Sequence, residues 1–337
     1  AVAMGIASVL TLWFMGDASL MLLAQRMYAG ADSFPLMAVP LFMIAGKLME
    51  GGGISRRIVD FAAAVAGWLP GGLGAVCVVA SLLFAGISGS AAADVAAVGA
   101  LLIPAMASRG YPRDLAAAIQ AAGGSMGVII PPSIPMIIFG ALTGASIGKL
   151  FAAGVVPGLL MGASLIAVVA LLGSGDRSDT RQTFAWKGVW HSLRQGLWSL
   201  GAPVIILGGI WGGIFTATES AAVAVLYALF VGFVLHKELR VRDLPRLFLE
   251  AGVAASIIMF IIAQAQAFSW LMAVDDAPAR MASALLDLTS HRVVILLIIN
   301  AATVNPVENK SDFELLVQRI LAHRSGRAFF NPSPLLI

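Results

Sequence analysis

Gly123-Gly124-Ser125-Met126-Gly127-Val128-Ile129-Ile130-Pro131-Pro132-Ser133-Ile134-Pro135 is the stretch whose reading decides the fold. Helical sequence leads into it from residue 115 and resumes over 136–147. Three prolines in the five residues 131–135 cannot sit in a regular helix. Each removes a backbone donor and pushes the residue before it away from helical geometry. The glycines just upstream loosen the same region. The run therefore reads as a discontinuous transmembrane helix, about 115–147, unwound from Val128 to Pro135. Irregular backbone at membrane depth is tolerated only where protein buries it or where it lines a wet cavity.

A second interruption lies upstream. Gly74 to Ala105 is apolar except at Gly86-Ile87-Ser88-Gly89-Ser90, near its middle. Each flanking arm is about 12–16 residues, short for a hydrocarbon core about 30 Å thick. The pattern predicts a re-entrant helical hairpin over about 74–106, with its tip near the midplane.

Composition supports a lipid environment. Apolar residues make up 59 % of the 337-residue chain, charged residues only 12 %, and mean hydropathy is +0.93. Soluble domains run near half apolar and a quarter charged, so this chain has more apolar surface than a soluble fold can hide. The 36 glycines are spread through the apolar runs, as in membrane helices that pack closely. A net charge of +3 without a long basic run argues against a nucleic-acid partner. Cys77 is the one cysteine, so no internal disulfide exists, and it reads as a small buried hydrophobe.

Further spans are expected over 1–23, 34–49 and 150–173, and at 200–215 and 217–235. Residues 54–69, with Arg56, Arg57 and Asp60, read as an amphipathic, interfacial piece. Residues 174–198 form a polar connector and a second basic loop carries Lys237, Arg240, Arg242 and Arg246. If 200–235 crosses twice, both loops share a face, and the positive-inside rule places that face in the cytoplasm.

The halves show a weak repeat: 34–49 resembles 256–272, and the amphipathic stretch 54–69 resembles 276–291. This divides the chain into a first repeat (1–173), the connector (174–198), a partial second repeat (199–300) and an atypical polar tail (301–337), with 311–324 read as a short solvent helix. The expected fold is all-α and polytopic, with inverted repeats around a re-entrant hairpin and a broken helix.

The two interruptions carry the chemistry. Unwound carbonyls and hydroxyls are hard oxygen ligands for a bare cation, and half-helix N-termini attract a carboxylate. Ser88, Ser90, Ser125 and Ser133 are the candidate side chains; packing helices closely is the competing role. Asp94, alone in an uncharged stretch, reads either as a functional intramembrane acid or as an acid stabilised by the helix dipole. Glu219 in Thr216-Ala217-Thr218-Glu219 has capping-box spacing, beside a role in transport. The four histidines show no metal-ligand spacing, and no nucleophile elbow or phosphate loop occurs, so an enzyme is not expected.

Ser33-Phe34-Pro35-Leu36 with Pro40-Leu41-Phe42, Gly86-Ile87-Ser88-Gly89-Ser90-Ala91, Gly127-Val128-Ile129-Ile130-Pro131-Pro132-Ser133 and Gly213-Ile214-Phe215-Thr216-Ala217-Thr218-Glu219-Ser220-Ala221 together resemble the large membrane subunit of the tripartite ATP-independent periplasmic (TRAP) transporters, dicarboxylate and sialic-acid type. The resemblance covers about residues 1–300. It implies an elevator-type sodium symporter of the bacterial inner membrane, taking up small organic anions, with no cofactor beyond sodium as coupling ion. Its partners would be a small membrane subunit, a periplasmic solute-binding protein and membrane lipid. Carried across, Ser88, Gly89, Ser90, Gly124, Ser125, Val128, Pro131 and Ser133 would form a sodium site, and Ser88, Ser90, Pro132 and Ser133 would face the substrate. Asp94, Thr216 and Glu219 stand as structural or transport-coupled residues. A second hairpin and second broken helix are expected after Asn300 but have no counterpart in this sequence. The chain thus reads as cut at its C-terminus and its N-terminus, and the alternative reading is a non-transporting remnant that only associates with partner subunits.

Overall fold

The computed structural model describes residues 2–15, 20–172, 184–289 and 291–303. Asp17, the first part of the 174–198 connector and the tail beyond Thr303 lie outside the described residues, as does the expected helix over 311–324. The described residues are helices and turns, without strands. They divide into two compact units, Ala1–Phe268 and Ser269–Ile337.

In the first unit the expected span over 1–23 is instead two helices, α1 (Val2–Met15) and α2 (Leu20–Ala31). The second runs on past the apolar stretch through Arg26 and Tyr28. A 3₁₀ turn, Phe34–Met37, with Pro35 in its first turn, feeds α3 (Ala38–Gly51). Next comes α4 (Ile54–Ala66), which buries Ile54, Ser55, Ile58, Ala62 and Ala66 along one stripe and leaves Arg56 and Asp60 exposed.

The hairpin region forms α5 (Leu73–Ser88) and α6 (Ala91–Ser108). The first arm has 16 residues, but the second has 18, apolar and long enough to cross a membrane by length and composition. The expectation of two short arms fails for α6 because the helix runs through Pro104 and three residues beyond Ala105. The broken helix follows as α7 (Arg113–Gly124), a 3₁₀ turn (Ser125–Val128) and α8 (Ile134–Thr143). The Pro131–Pro132 peptide bond between them is cis.

Then come α9 (Ile147–Leu172), α10 (Trp186–Trp211) and α11 (Ala217–Phe230), the last extended by a π-helical turn, Val231–Leu235. The second half of the expected polar connector is thus helical, continuous with the apolar run after it. Its small buried positions, Gly196 and Ser199, lie on one side while Trp190 and Leu197 are exposed. α12 (Leu244–Val274) takes Arg246 out of the expected basic loop and pairs it with Glu250, one turn on, at 2.8 Å.

Among the described residues six helical stretches are long and apolar enough to cross a membrane. α5 is the hub: it packs against α4, α6, α7 and α9, and its residues are buried around most of its circumference. α3 packs chiefly on α11, and α10 on both α4 and α11. Two glycine contacts bind α7 to the hairpin. A methyl group at Gly123 would lie 3.0 Å from the Ser81 hydroxyl of α5, and one at Gly124 would lie 3.2 Å from the Val95 nitrogen of α6. Small residues there let the three backbones approach closely.

At the far end of α11 the chain is latched to the α3–α4 corner. His236 Nδ1–H donates to the Gly52 carbonyl at 3.1 Å, and Arg57 pairs with Glu238 at 2.8 Å. Burial is the largest influence and lowers the His236 pKa below 6.5; the Gly52 bond opposes it, the Arg57 charge adds a smaller lowering, and Glu238 opposes it least. In the second unit α13 (Ala277–Leu288) and α14 (Arg292–Thr303) follow the end of α12, with Arg280 donating to Asp275 Oδ2 at 2.6 Å.

Candidate functional site

The two interruptions meet. α5 ends where Gly89 adopts a left-handed conformation (φ +64°), and its N–H bonds the Ala85 carbonyl at 3.3 Å. The Gly89 carbonyl in turn accepts from the Ile134 N–H at 3.1 Å, at the first residue of α8. A methyl at Gly89 would come 2.6 Å from the Pro132 carbonyl oxygen, so both the φ angle and the space demand glycine here. The hairpin tip thus rests on the unwound prolines, both buried, through main-chain contacts.

Ser88 is 2 % exposed and organises the tip. Its Oγ donates to Asp94 Oδ1 and accepts from the Ser90 N–H at 3.1 Å. That second bond does for the start of α6 what a capping side chain would; Ser90, the N-cap residue, makes no side-chain cap of its own. Asp94 lies in the first turn of α6 and is fully buried. Its Oδ2 is buried without a hydrogen-bond partner. Gly127, on the 3₁₀ turn, faces that oxygen, and a methyl there would collide with it and lie 3.1 Å from the Ala91 nitrogen.

The remaining predicted residues divide. Ser133 is fully buried, donates to the Val128 carbonyl and accepts from the Met136 N–H at 3.5 Å, so it caps α8 and folds the unwound segment back on itself. Ser125 donates to the Ala122 carbonyl at 2.7 Å, one turn back on its own helix. Val128 turns its side chain outward, and Gly124 packs against α6. Ser88, Gly89, Ser90, Asp94, Gly127, Pro132 and Ser133 therefore form one cluster, with Ser125 and Val128 at its edge.

Thr216 and Glu219 do not join it. They close a capping box: the Thr216 N–H reaches Glu219 Oε2 at 2.8 Å and the Glu219 N–H reaches Thr216 Oγ1 at 3.3 Å. Thr218 beside them donates to the Phe34 carbonyl at 3.1 Å, tying α11 to the 3₁₀ turn before α3. Thr216 lines a different cavity, of about 450 Å³, with Pro35 and the Gly140–Gly148 turn.

Besides the place of Gly127 against Asp94, sequence reasoning missed two residues. Gln120 of α7 is fully buried; its Nε2 donates to the Asp94 carbonyl at 3.1 Å and its Oε1 accepts from Cys77 Sγ at 2.8 Å. The signal was present: Gln120 falls on the stripe Ala116, Ile119, Gly123, where only a bonded amide is tolerated. Gly46 of α3 backs Ser88, where a methyl would sit 3.7 Å from the Ser88 Cα.

A buried carboxylate oxygen without a partner, in a cluster that also carries the Ser88 hydroxyl and borders the unwound segment, is a donor set that suits a hard cation. The start of α6 and the start of α8 converge on the same cluster, as their N-cap residues Ser90 and Ser133 show. Helix N-termini favour anions.

The sequence matches the family described as "Tripartite ATP-independent periplasmic transporter, DctM component" over residues 1–304. It is 43 % identical over 281 residues to the 2,3-diketo-L-gulonate TRAP transporter large permease protein YiaN of Escherichia coli (strain K12), covering 83 % of this chain and 66 % of that protein. It is 40 % identical over 302 residues to the isethionate TRAP transporter permease protein DctMQ of Oleidesulfovibrio alaskensis, covering 89 % of this chain and 47 % of that one. Against the C4-dicarboxylate TRAP transporter large permease protein DctM of Pseudomonas aeruginosa, identity is 39 % over 298 residues, 88 % of this chain and 70 % of the relative. The chain therefore spans between about half and 70 % of these relatives' lengths. Each is named as a transporter permease, not as an enzyme.

Proposed function

The chain belongs to the DctM component family of the tripartite ATP-independent periplasmic transporters, and from that premise we propose that it acts as large membrane subunit of a sodium-coupled carrier for small organic anions. The observation that carries the reading is the buried, unpartnered Asp94 Oδ2 at the junction of the two helix breaks. A sodium ion held there by the Asp94 carboxylate, with the Ser88 and Ser90 region and carbonyls of the Val128–Pro132 segment, would neutralise the buried charge. The α6 and α8 N-termini would then receive a substrate carboxylate. With the ion absent, the Asp94 carboxyl offers an incoming carboxylate no positive charge; with the ion bound, its charge stands beside the place the substrate would take. This makes ion binding a precondition for substrate binding, which is the physical content of symport.

The names of the relatives above, all organic anions, support a carboxylate or sulfonate substrate class. The proposed partners are a small membrane subunit and a periplasmic solute-binding protein, in a bacterial inner membrane, with the basic loops on the cytoplasmic side. The halves of the chain would be inverted repeats, an arrangement that builds midplane sites in secondary transporters.

The test is uptake of a panel of organic acids by proteoliposomes holding this chain with its small subunit, supplied with the cognate binding protein. Accumulation that requires an inward sodium gradient is expected, with Asp94→Asn abolishing it. Uptake that persists at full rate in Asp94→Asn, or without sodium, would overturn the assignment.

A further inference from the structure

A polar trough runs along the exposed side of α4 where it packs against the first half of α10. Its two lobes, about 520 and 380 Å³, share Asp60 and Gln195. The larger holds Arg56, Arg57, Trp198, His236 and Glu238. The smaller is walled by Trp68 and Ser192.

Its charges are unevenly satisfied. Arg57 is paired with Glu238 at 2.8 Å. Arg56 and Asp60, one helical turn apart and both exposed, have no ion-pair partner among the described residues, and do not bridge to each other. A basic residue N-terminal to an acidic one is the weaker order for such a pair, which leaves both free for an outside partner. Two cations and two anions cancel across the larger lobe, so it offers no net field for a purely anionic ligand.

Aromatic side chains flank the trough. Trp68 (46 % exposed) meets Phe184 edge to face at 5.7 Å, and Trp186, Trp190 and Trp198 are 70, 62 and 48 % exposed. Of the chain's seven tryptophans, Trp68 and Trp198 line the trough and Trp186 and Trp190 stand at the start of α10 beside it. Exposed tryptophans at helix ends mark the level of lipid headgroups.

We propose that this trough binds an aminophospholipid of the phosphatidylethanolamine type, its phosphate on Arg56, its primary ammonium on Asp60 and its acyl chains against the tryptophan rim. The guanidinium offers paired donors to phosphate oxygens, and the carboxylate accepts from ammonium N–H groups, which a quaternary choline lacks. The site is separate from the helix breaks and does not depend on the transport reading.

Native mass spectrometry of the chain purified in a nonionic detergent, titrated with phosphatidylethanolamine, phosphatidylcholine or phosphatidylglycerol, tests it. Phosphatidylethanolamine is expected to be retained about tenfold better than either other lipid. Arg56→Gln and Asp60→Asn should each remove that preference, while Arg242→Gln, outside the trough, leaves it intact. Both target residues are exposed, so an unchanged thermal unfolding curve is the control that the variants fold. Equal retention of the three lipids would overturn the proposal, and so would preference for phosphatidylglycerol lost only in Arg56→Gln. Displacement by soluble phosphoethanolamine at equal concentration would reassign the trough to a soluble ligand. Lipid-free trapping of the small membrane subunit on this face would make it a protein interface instead.

Discussion

Ser88 and Asp94, six residues apart, close the hairpin tip on itself: the serine hydroxyl donates to one carboxylate oxygen, and the other is left buried and unpaired. Removing the hydroxyl leaves both oxygens without a donor. Ser88→Ala is expected to destabilise the fold by about 1–3 kcal/mol, the usual cost of orphaning a buried polar group. Thermal unfolding in detergent measures it, and sodium should restore more of the lost stability than potassium. No loss of stability would mean that the pair contributes nothing net.

Gly127 has no room for a side chain against Asp94 Oδ2. Gly127→Ala should cost about 1–3 kcal/mol as an overpacked contact and weaken sodium-dependent uptake more strongly than Gly252→Ala, where no atom lies within 4 Å of the added methyl. Equal effects at the two positions would contradict the close approach.

The Thr216–Glu219 box predicts a split between stability and transport. Thr216→Ala should lose about 1 kcal/mol of stability through the missing cap. The sodium concentration for half-maximal uptake should not move. A shifted sodium dependence would return these residues to the transport site.

His236 predicts the direction of a pH effect. Its proton affinity is lower in the folded chain than in the unfolded one, so protonation favours unfolding. The stability it contributes is full above the ordinary histidine value of 6.5 and is lost as pH falls from there toward the lowered folded-state value. Unfolding curves at falling pH should show this loss, and His236→Asn should flatten it. A stability rising with acidity in that window would invert the sign and refute the argument.

The expected orientation is checked by a single cysteine at Val241, 73 % exposed beside the basic loop, in a Cys77→Ala background. An impermeant thiol reagent should label it only after cells are opened. Labelling of intact cells would place the basic loops outside.

The helix break at Pro131 and Pro132 and the turn at Gly89 were legible because backbone chemistry dictates them: proline cannot donate, and glycine alone takes the left-handed angle without strain. The expected unwinding from Val128 to Pro135 was too wide, for Val128 ends the 3₁₀ turn and Pro135 sits in the first turn of α8, where its missing donor costs nothing. The extent of α6 was not legible: the apolar pattern gives out at Ala105, yet the helix carries on through Met106, Ala107 and Ser108 before the turn at Arg109 and Gly110. The start of α10 was hidden by mean hydropathy. Residues 186–198 are polar on average, yet small residues at Gly196 and Ser199 face inward, and the helix continues. The partners of Ser133 and Ser125 could not be read either. Both hydroxyls are spent on nearby carbonyls, a choice set by local geometry rather than by residue type. Gln120 needed the position of Asp94 in space, which no one-dimensional pattern supplies.

The bond between the Gly89 carbonyl and the Ile134 N–H is made wholly of main-chain atoms. No substitution at either residue, short of proline at 134, deletes its donor or acceptor. Substitution at Ile134 other than by proline leaves the bond itself in place, whereas the left-handed φ and the nearby Pro132 carbonyl hold position 89 to glycine. A scaffold built this way separates what is fixed from what is adjustable: the joint between the two helix breaks is held by main-chain atoms and crowded glycines, while an outward-facing side chain such as Val128 is open to change.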